Sequence, residues 1–116
     1  MQYQEGQGLL GRIRFRDGEY PQYNRPYLIV RVGDDVIGTL NVSSTKGKEA
    51  KAAFPSNYPL KQFAPPFAMD SFVKLDSYCE ISYQEANQMR LLAGGRPLNT
   101  TDLQEILVRM QEYKDC

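Results

Sequence analysis

The stretch Asn41-Val42-Ser43-Ser44-Thr45-Lys46-Gly47-Lys48 sets two adjacent hydroxyls directly before two lysines. The chain contains no histidine, so proton transfer in it falls to other groups. Upstream, Asn24-Arg25-Pro26-Tyr27 carries an arginine, whose guanidinium is a rigid fork of donors matched to phosphate oxygens. Ser43 and Ser44 add short hydroxyl donors; Lys46 and Lys48 add positive charge on flexible stems. Together these residues describe an oxyanion clamp, and a phosphodiester is its obvious ligand. If the backbone is RNA, the substrate brings its own nucleophile, the ribose 2′-OH, which attacks the adjacent phosphorus. The protein then has to hold that geometry, stabilise charge on the phosphate and move protons. A lysine of lowered pKa at position 46, or Arg25 as a donor, takes the place of histidine. Such cleavage leaves a 2′,3′-cyclic phosphate and a 5′-hydroxyl, and calls for no metal and no cofactor. The bland alternative is a solvated polar turn after a strand, with Arg-Pro merely starting the strand before it.

These residues can meet only if the elements around them place them together. Tyr27–Val32 (YLIVRV) is nearly all apolar and β-branched, and is expected to be a central strand. Gly33-Asp34-Asp35 turns it into a further strand over 36–43, a hairpin in which residue 25 lies opposite about 43–44. Arg25 and both serines are therefore expected at one open end of the sheet. Before the hairpin, residues 9–16 alternate Arg12, Arg14 and Arg16 with Ile13 and Phe15, the period of a half-buried strand with one basic face. Residues 17–24 form a loop carrying Tyr20 and Tyr23. From 45 to 69 the chain is rich in proline and lysine, without periodicity; loops of that length are usually functional. A short strand is expected within 58–63 and another over 71–81.

Two helices close the chain. Ser82 and Glu85 form a capping box for a helix expected to run to about Ala93 and to stop at Gly94-Gly95. Asn99 caps the second helix, Asp102 sits in its first turn, and Leu103, Ile106, Leu107 and Met110 make one apolar stripe. Several antiparallel strands followed by helices give a mainly β fold with accessory helices (α+β), a small curved sheet or barrel.

The size and composition fit that picture. The chain has 116 residues, 41% hydrophobic and 24% charged, enough for one domain over residues 1–116 with a modest core. No apolar run approaches the roughly 20 residues that span a bilayer, and the first residues lack the pattern of a signal peptide. Cys79 and Cys116 are the only cysteines; they give neither a disulfide framework nor metal-ligand spacing, and a reduced cytoplasmic setting is expected. The formal net charge is zero, which argues against wholesale coating of nucleic acid. Residues 1–61 nevertheless hold nine Lys/Arg against six Asp/Glu, and residues 62–116 five against eight. The N-terminal half thus retains room for a local phosphate-binding face. On it, Arg14, Lys48, Lys51 and Lys61 are candidate phosphate contacts, with residues 46–63 as a loop tracking the strand. Tyr20, Tyr23, Tyr58 and Phe63 are candidates to stack on unpaired bases.

Four motifs, in order, resemble the MazF/PemK-like endoribonuclease toxins, including the ToxN-type toxins of RNA-regulated systems. Residues 25–30 (RPYLIV) look like the family's Arg-Pro before an apolar central strand. Residues 42–46 (VSSTK) look like its strand ending in paired Thr/Ser, with the lysine of ToxN-like members. Residues 71–76 (SFVKLD) look like its S-x-V-x-x-D strand, and residues 98–107 (LNTTDLQEIL) like its closing L-S-x-x-D-L helix. The resemblance implies an SH3-like small β-barrel and metal-independent cleavage of single-stranded RNA. By position it assigns the catalytic arginine to Arg25, the catalytic hydroxyl to Ser43 or Ser44, and the ToxN-like lysine to Lys46. It further implies a cognate antitoxin, protein or repeated RNA, that blocks the RNA groove, and a homodimer or antitoxin-linked oligomer. Gly11-Arg12-Ile13 stands where the family opens with Gly-Asp-Ile/Val. The rival reading is a non-catalytic SH3-like module that uses the same groove to bind a peptide or nucleic acid.

Overall fold

The apolar run of β2 (Arg25–Val32) is buried on both faces, and the rest of the chain is arranged to cover it. The computed structural model describes residues 2–15 and 17–114. In it β2 pairs with β1 (Gly8–Gly11) on one side and with β3 (Val36–Ser44) on the other, both antiparallel. Leu28 and Val30 enter one core cluster with Leu40, Val42, Val73 and Ile106. Tyr27 and Ile29 enter a second with Leu9, Ile37, Ile81 and Ala86. The alternation follows from the pleat, which sends successive side chains to opposite faces.

The hairpin expected between residues 25 and 44 is present. The basic strand expected over 9–16 is shorter. Its partner β2 begins at Arg25, which is opposite Gly11, so beyond Gly11 there is no ladder to join. Residues 12–15 instead leave the sheet: the Ile13 amide donates to the Tyr27 hydroxyl at 3.1 Å, and the Phe15 amide to the Glu19 carbonyl at 2.7 Å. Arg12 and Arg14 are therefore on a loop, and Arg16 lies outside the described residues.

The strand expected over 71–81 is two, β5 (Ser71–Lys74) and β6 (Cys79–Ser82). Both lie along the same edge of β3: β5 pairs with Val42–Ser44 and β6 with Val36–Thr39. The two ladders are out of step by three residues, so the chain between them is thrown out as a turn. Ser77 closes that turn. Its hydroxyl donates to the Lys74 carbonyl at 2.6 Å and accepts from the Asn41 amide at 2.8 Å, replacing the missing strand partner.

Residues 45–69 are more ordered than a tracking loop. They include a helical turn, α1 (Glu49–Ala52), and β4 (Asn57–Pro59), which pairs with β5. Tyr58, Leu60 and Phe67 are buried, and Phe63 packs on the same cluster. Tyr58 and Phe63 are thereby removed from the candidates for base stacking. The capping box forms as expected, with both Ser82–Glu85 bonds at 3.0 Å, but α2 (Tyr83–Asn87) is only five residues long. Arg90 and Leu91 make a short strand, β7, on the free edge of β1; edge pairing overrides the helical propensity of the segment. After a 3₁₀ turn at Leu92–Gly95, α3 (Thr100–Arg109) places Ile106 in the first core cluster, with Met110 just beyond its end. A final turn of helix, α4, spans Gln111–Lys114.

The sheet order is β4-β5-β3-β2-β1-β7, with β6 also on β3. Every pairing among the described residues is antiparallel, and β4 and β7 remain as edges, so the sheet is strongly built but not closed. Among the described residues no helix is long and apolar enough to cross a membrane.

Candidate functional site

The ladder between β2 and β3 runs in register through Tyr27–Asn41. Continued by two residues, it aligns Arg25 with Ser43. Residues opposite each other share a face, so Arg25, Tyr27, Asn41 and Ser43 lie on one side of the sheet. Arg25 is exposed and Ser43 half-buried. The Lys48 ammonium, at the start of α1, donates to the Ser43 hydroxyl at 3.0 Å. The turn after β3 thus folds back over the strand end and returns a lysine to the hydroxyl.

A further cation joins this rim from β5. The half-buried Lys74 ammonium is pushed below its usual value, first by burial and then by Lys48, Arg25 and Lys51, with Asp76 opposing. Arg25, Lys48 and Lys51 are therefore all close enough to act on Lys74 at this end of the sheet. Among the described residues the side-chain ion pairs within 4 Å are Arg31–Glu80 and Arg109–Glu105, and none of the four belongs to either. Positive charge held together with no carboxylate within 4 Å among the described residues is electrostatically poised for an anion.

The other expected site residues are distributed differently. Ser44 follows Ser43 on a strand and so turns to the opposite face. It borders a pocket with Thr45, Lys46, Glu49, Met69 and Asp70, and an apolar one with Leu10, Pro26 and Phe67. Its hydroxyl accepts from the Lys46 amide at 3.3 Å, and the Lys46 side chain is exposed beside it. Lys61 is tied elsewhere, its amide donating to the Asp102 carboxylate near the start of α3. Tyr23 stands out on the loop before β2, 73% exposed. Arg14 lines a groove of about 270 Å³ next to the rim, with Phe15, Tyr27, Asn41 and Asp76. The structure thus brings together Arg25, Ser43, Lys48 and Lys51, with Arg14 adjacent, and separates Ser44, Lys46 and Lys61 from them.

Lys74 is the residue that sequence reasoning missed. Alternation over 71–76 marks it as a wet strand position, and only the pairing of β5 with β3 discloses its neighbours. Asp102 is the second surprise. It is 0% exposed and accepts from the Tyr58 hydroxyl at 2.7 Å, the Asn99 side chain at 2.8 Å, and the amides of Gln62 and Lys61 at 3.0 and 3.1 Å. Its work is to fasten the segment after β4 to α3, away from the cationic rim.

The fold and this site define a mostly antiparallel α+β domain with a cationic rim at one end of an open sheet. No protein-family profile matches the chain, and no curated protein matches it either.

Proposed function

We propose that the chain is a small endoribonuclease of the MazF/PemK- and ToxN-like kind, the toxin of a toxin–antitoxin pair acting on single-stranded RNA in the cytoplasm. The open sheet, curled around β2 and β3, is read as an SH3-like barrel left unclosed between β4 and β7. The observation that carries the proposal is the convergence of Arg25, Ser43, Lys48, Lys51 and Lys74 on one rim, with Lys74 lowered first by burial and then by its cationic neighbours. A lysine so placed is a base that needs no imidazole.

In this reading Arg25 and Ser43 hold the non-bridging oxygens of the scissile phosphate, and Lys51 neutralises a flanking one. Lys74, in the fraction of molecules where it has lost its proton, takes the proton from the ribose 2′-OH, whose oxygen then bonds to phosphorus. The P–O5′ bond breaks, and the Lys48 ammonium gives a proton to the departing 5′-oxygen. Lys74 afterwards loses its proton to solvent and Lys48 regains one. The products are a 2′,3′-cyclic phosphate and a 5′-hydroxyl. A cognate antitoxin, protein or RNA, would silence the enzyme by covering the same rim.

The test is to incubate purified protein with short single-stranded RNA and to determine the fragment ends by mass spectrometry. Discrete fragments ending in cyclic phosphate are expected. RNA that is bound yet left intact would turn the proposal into that of a binding module, and RNA neither bound nor cut would remove it.

A further inference from the structure

Beside the cationic rim lies the groove of about 270 Å³ bordered by Ile13, Arg14, Phe15, Tyr27, Asn41 and Asp76. Ligand pockets for whole drug-sized molecules start at about 300 Å³, so this space suits a single flat ring system. Tyr27 and Ile13 are buried and supply apolar surface, while Phe15 is 45% exposed and has a ring free to pack on a ligand. The groove's polar lining includes Arg14, Ser77, Tyr78 and Cys79, and two further groups of defined kinds, Asn41 and Asp76. The backbone amide of Asn41 is taken by Ser77, but its side-chain amide makes no hydrogen bond to another described residue. Asp76 is exposed and belongs to no ion pair within 4 Å among the described residues. Its carboxylate therefore has two acceptor oxygens to offer.

We infer that this groove is a subsite for one guanine base of a bound RNA strand, read by the Asp76 carboxylate and the Asn41 amide; the inference rests on the proposal that the rim holds RNA phosphate. Guanine presents two adjacent donors, N1–H and the 2-amino group, which match the two oxygens of one carboxylate, and beside them the O6 acceptor, which matches the Asn41 amide N–H. Uracil sets acceptors on both sides of its single ring N–H, and adenine and cytosine each set a ring acceptor beside their amino group, so each turns at least one lone pair toward the carboxylate. The position is right for a strand crossing the rim. Asn41 is two residues before Ser43 on the same face of β3, about 7 Å along the strand, and Asp76 is two residues after Lys74. A phosphate at Ser43 and Lys74 leaves its neighbouring base at the mouth of the groove, where Phe15 can stack on it.

The experiment compares binding of two short RNAs, one all uridine and one with a single central guanosine, by fluorescence anisotropy. The parent is expected to bind the guanosine strand at least tenfold more tightly, within the range of one bidentate base contact. Asp76→Asn, which keeps the shape but presents an amide to the two donors, brings the two affinities together. Asn41→Ala narrows the ratio in the same direction, and circular dichroism establishes that each variant is folded. Equal affinities in the parent, or a guanosine preference that survives both substitutions, overturns the guanine subsite and leaves the RNA reading standing. Failure of the parent to bind either strand overturns both.

Discussion

Asp102→Ala is expected to be strongly destabilising, and its cost can be worked from the structure. The carboxylate is fully buried and is the acceptor for four donors: the Tyr58 hydroxyl, the Asn99 side-chain amide, and the backbone amides of Lys61 and Gln62. Asn99 can turn to water or to the Gln62 carbonyl, which it already contacts at 3.0 Å. The other three lose their partner. A buried donor left unpaired costs about 1–3 kcal/mol. The Tyr58 hydroxyl is buried but the Lys61 and Gln62 amides only partly so. The three together therefore fall in the lower part of the about 3–9 kcal/mol that three fully buried donors would span. Water entering the vacated space satisfies some of them, which favours the lower part of the range, about 4 kcal/mol. That is a large share of the roughly 5–15 kcal/mol that holds a domain of this size folded. Tyr58→Phe removes one donor and leaves the others bonded, so it should cost only about 1 kcal/mol. Urea unfolding followed by circular dichroism measures both, and equal losses for the two variants, or an Asp102→Ala loss under about 1 kcal/mol, would refute the reasoning. The same carboxyl gives a pH signature. Burial alone would raise its pKa, but hydrogen bonds from Asn99, Tyr58, Gln62 and Lys61 outweigh burial and hold it below the usual 3.8. The folded value is thus below the unfolded one, so the contribution is complete above about pH 4 and is lost as pH falls through the folded value. Asp102→Asn should flatten that acid limb.

Three further outcomes follow from the geometry. Gly38→Ala should destabilise by about 1–3 kcal/mol, because the added Cβ would lie 2.5 Å from the Tyr78 hydroxyl oxygen, which is held by Glu80 at 2.9 Å; a thermal melt equal to the parent's would refute the contact. RNA affinity should fall with salt at a log–log slope of about −2.1 if Arg25, Lys48 and Lys51 each meet a phosphate, and Arg25→Ala should flatten the slope by about 0.7; a slope near zero in titrations would remove the electrostatic role. The rising limb of the cleavage rate against pH should have its midpoint below pH 10.5, the usual lysine value from which burial and the cations lower Lys74; a Lys74→Gln variant with an unchanged profile would exclude that lysine as the base.

Much of the scaffold was legible because its signals are local. The YLIVRV run, the Gly-Asp-Asp turn, the Ser82–Glu85 box and the Leu103/Ile106/Leu107/Met110 stripe each form at the expected place. What the sequence concealed depends on pairing. Nothing within residues 71–81 announces that two ladders on one edge of β3 are three residues out of step, or that Ser77 repairs the gap. Likewise, residues 88–93 carry helical propensity, and only the free edge of β1 explains why Arg90 and Leu91 are extended. The site was half legible. Hairpin register brings Arg25 and Ser43 to one end, but the pleat itself forbids Ser43 and Ser44 from facing the same way, a signal present in the sequence and passed over. Lys74 enters from a distant strand, and Asp102 looked like an ordinary helix-start carboxylate when it is the buried anchor of the segment after β4.

The central claim is that Arg25, Ser43, Lys48 and Lys74 act together on one phosphate, on the face away from Ser44. Single-turnover cleavage of one RNA by the parent, Arg25→Ala, Ser43→Ala and Ser44→Ala tests it most directly. Arg25→Ala is expected to slow cleavage by about 10²-fold or more, the scale of losing one transition-state donor, and the Ser43→Ala loss is expected to exceed the Ser44→Ala loss at least tenfold. A Ser44→Ala loss equal to or larger than that of Ser43→Ala, or an Arg25→Ala variant as fast as the parent, would contradict it.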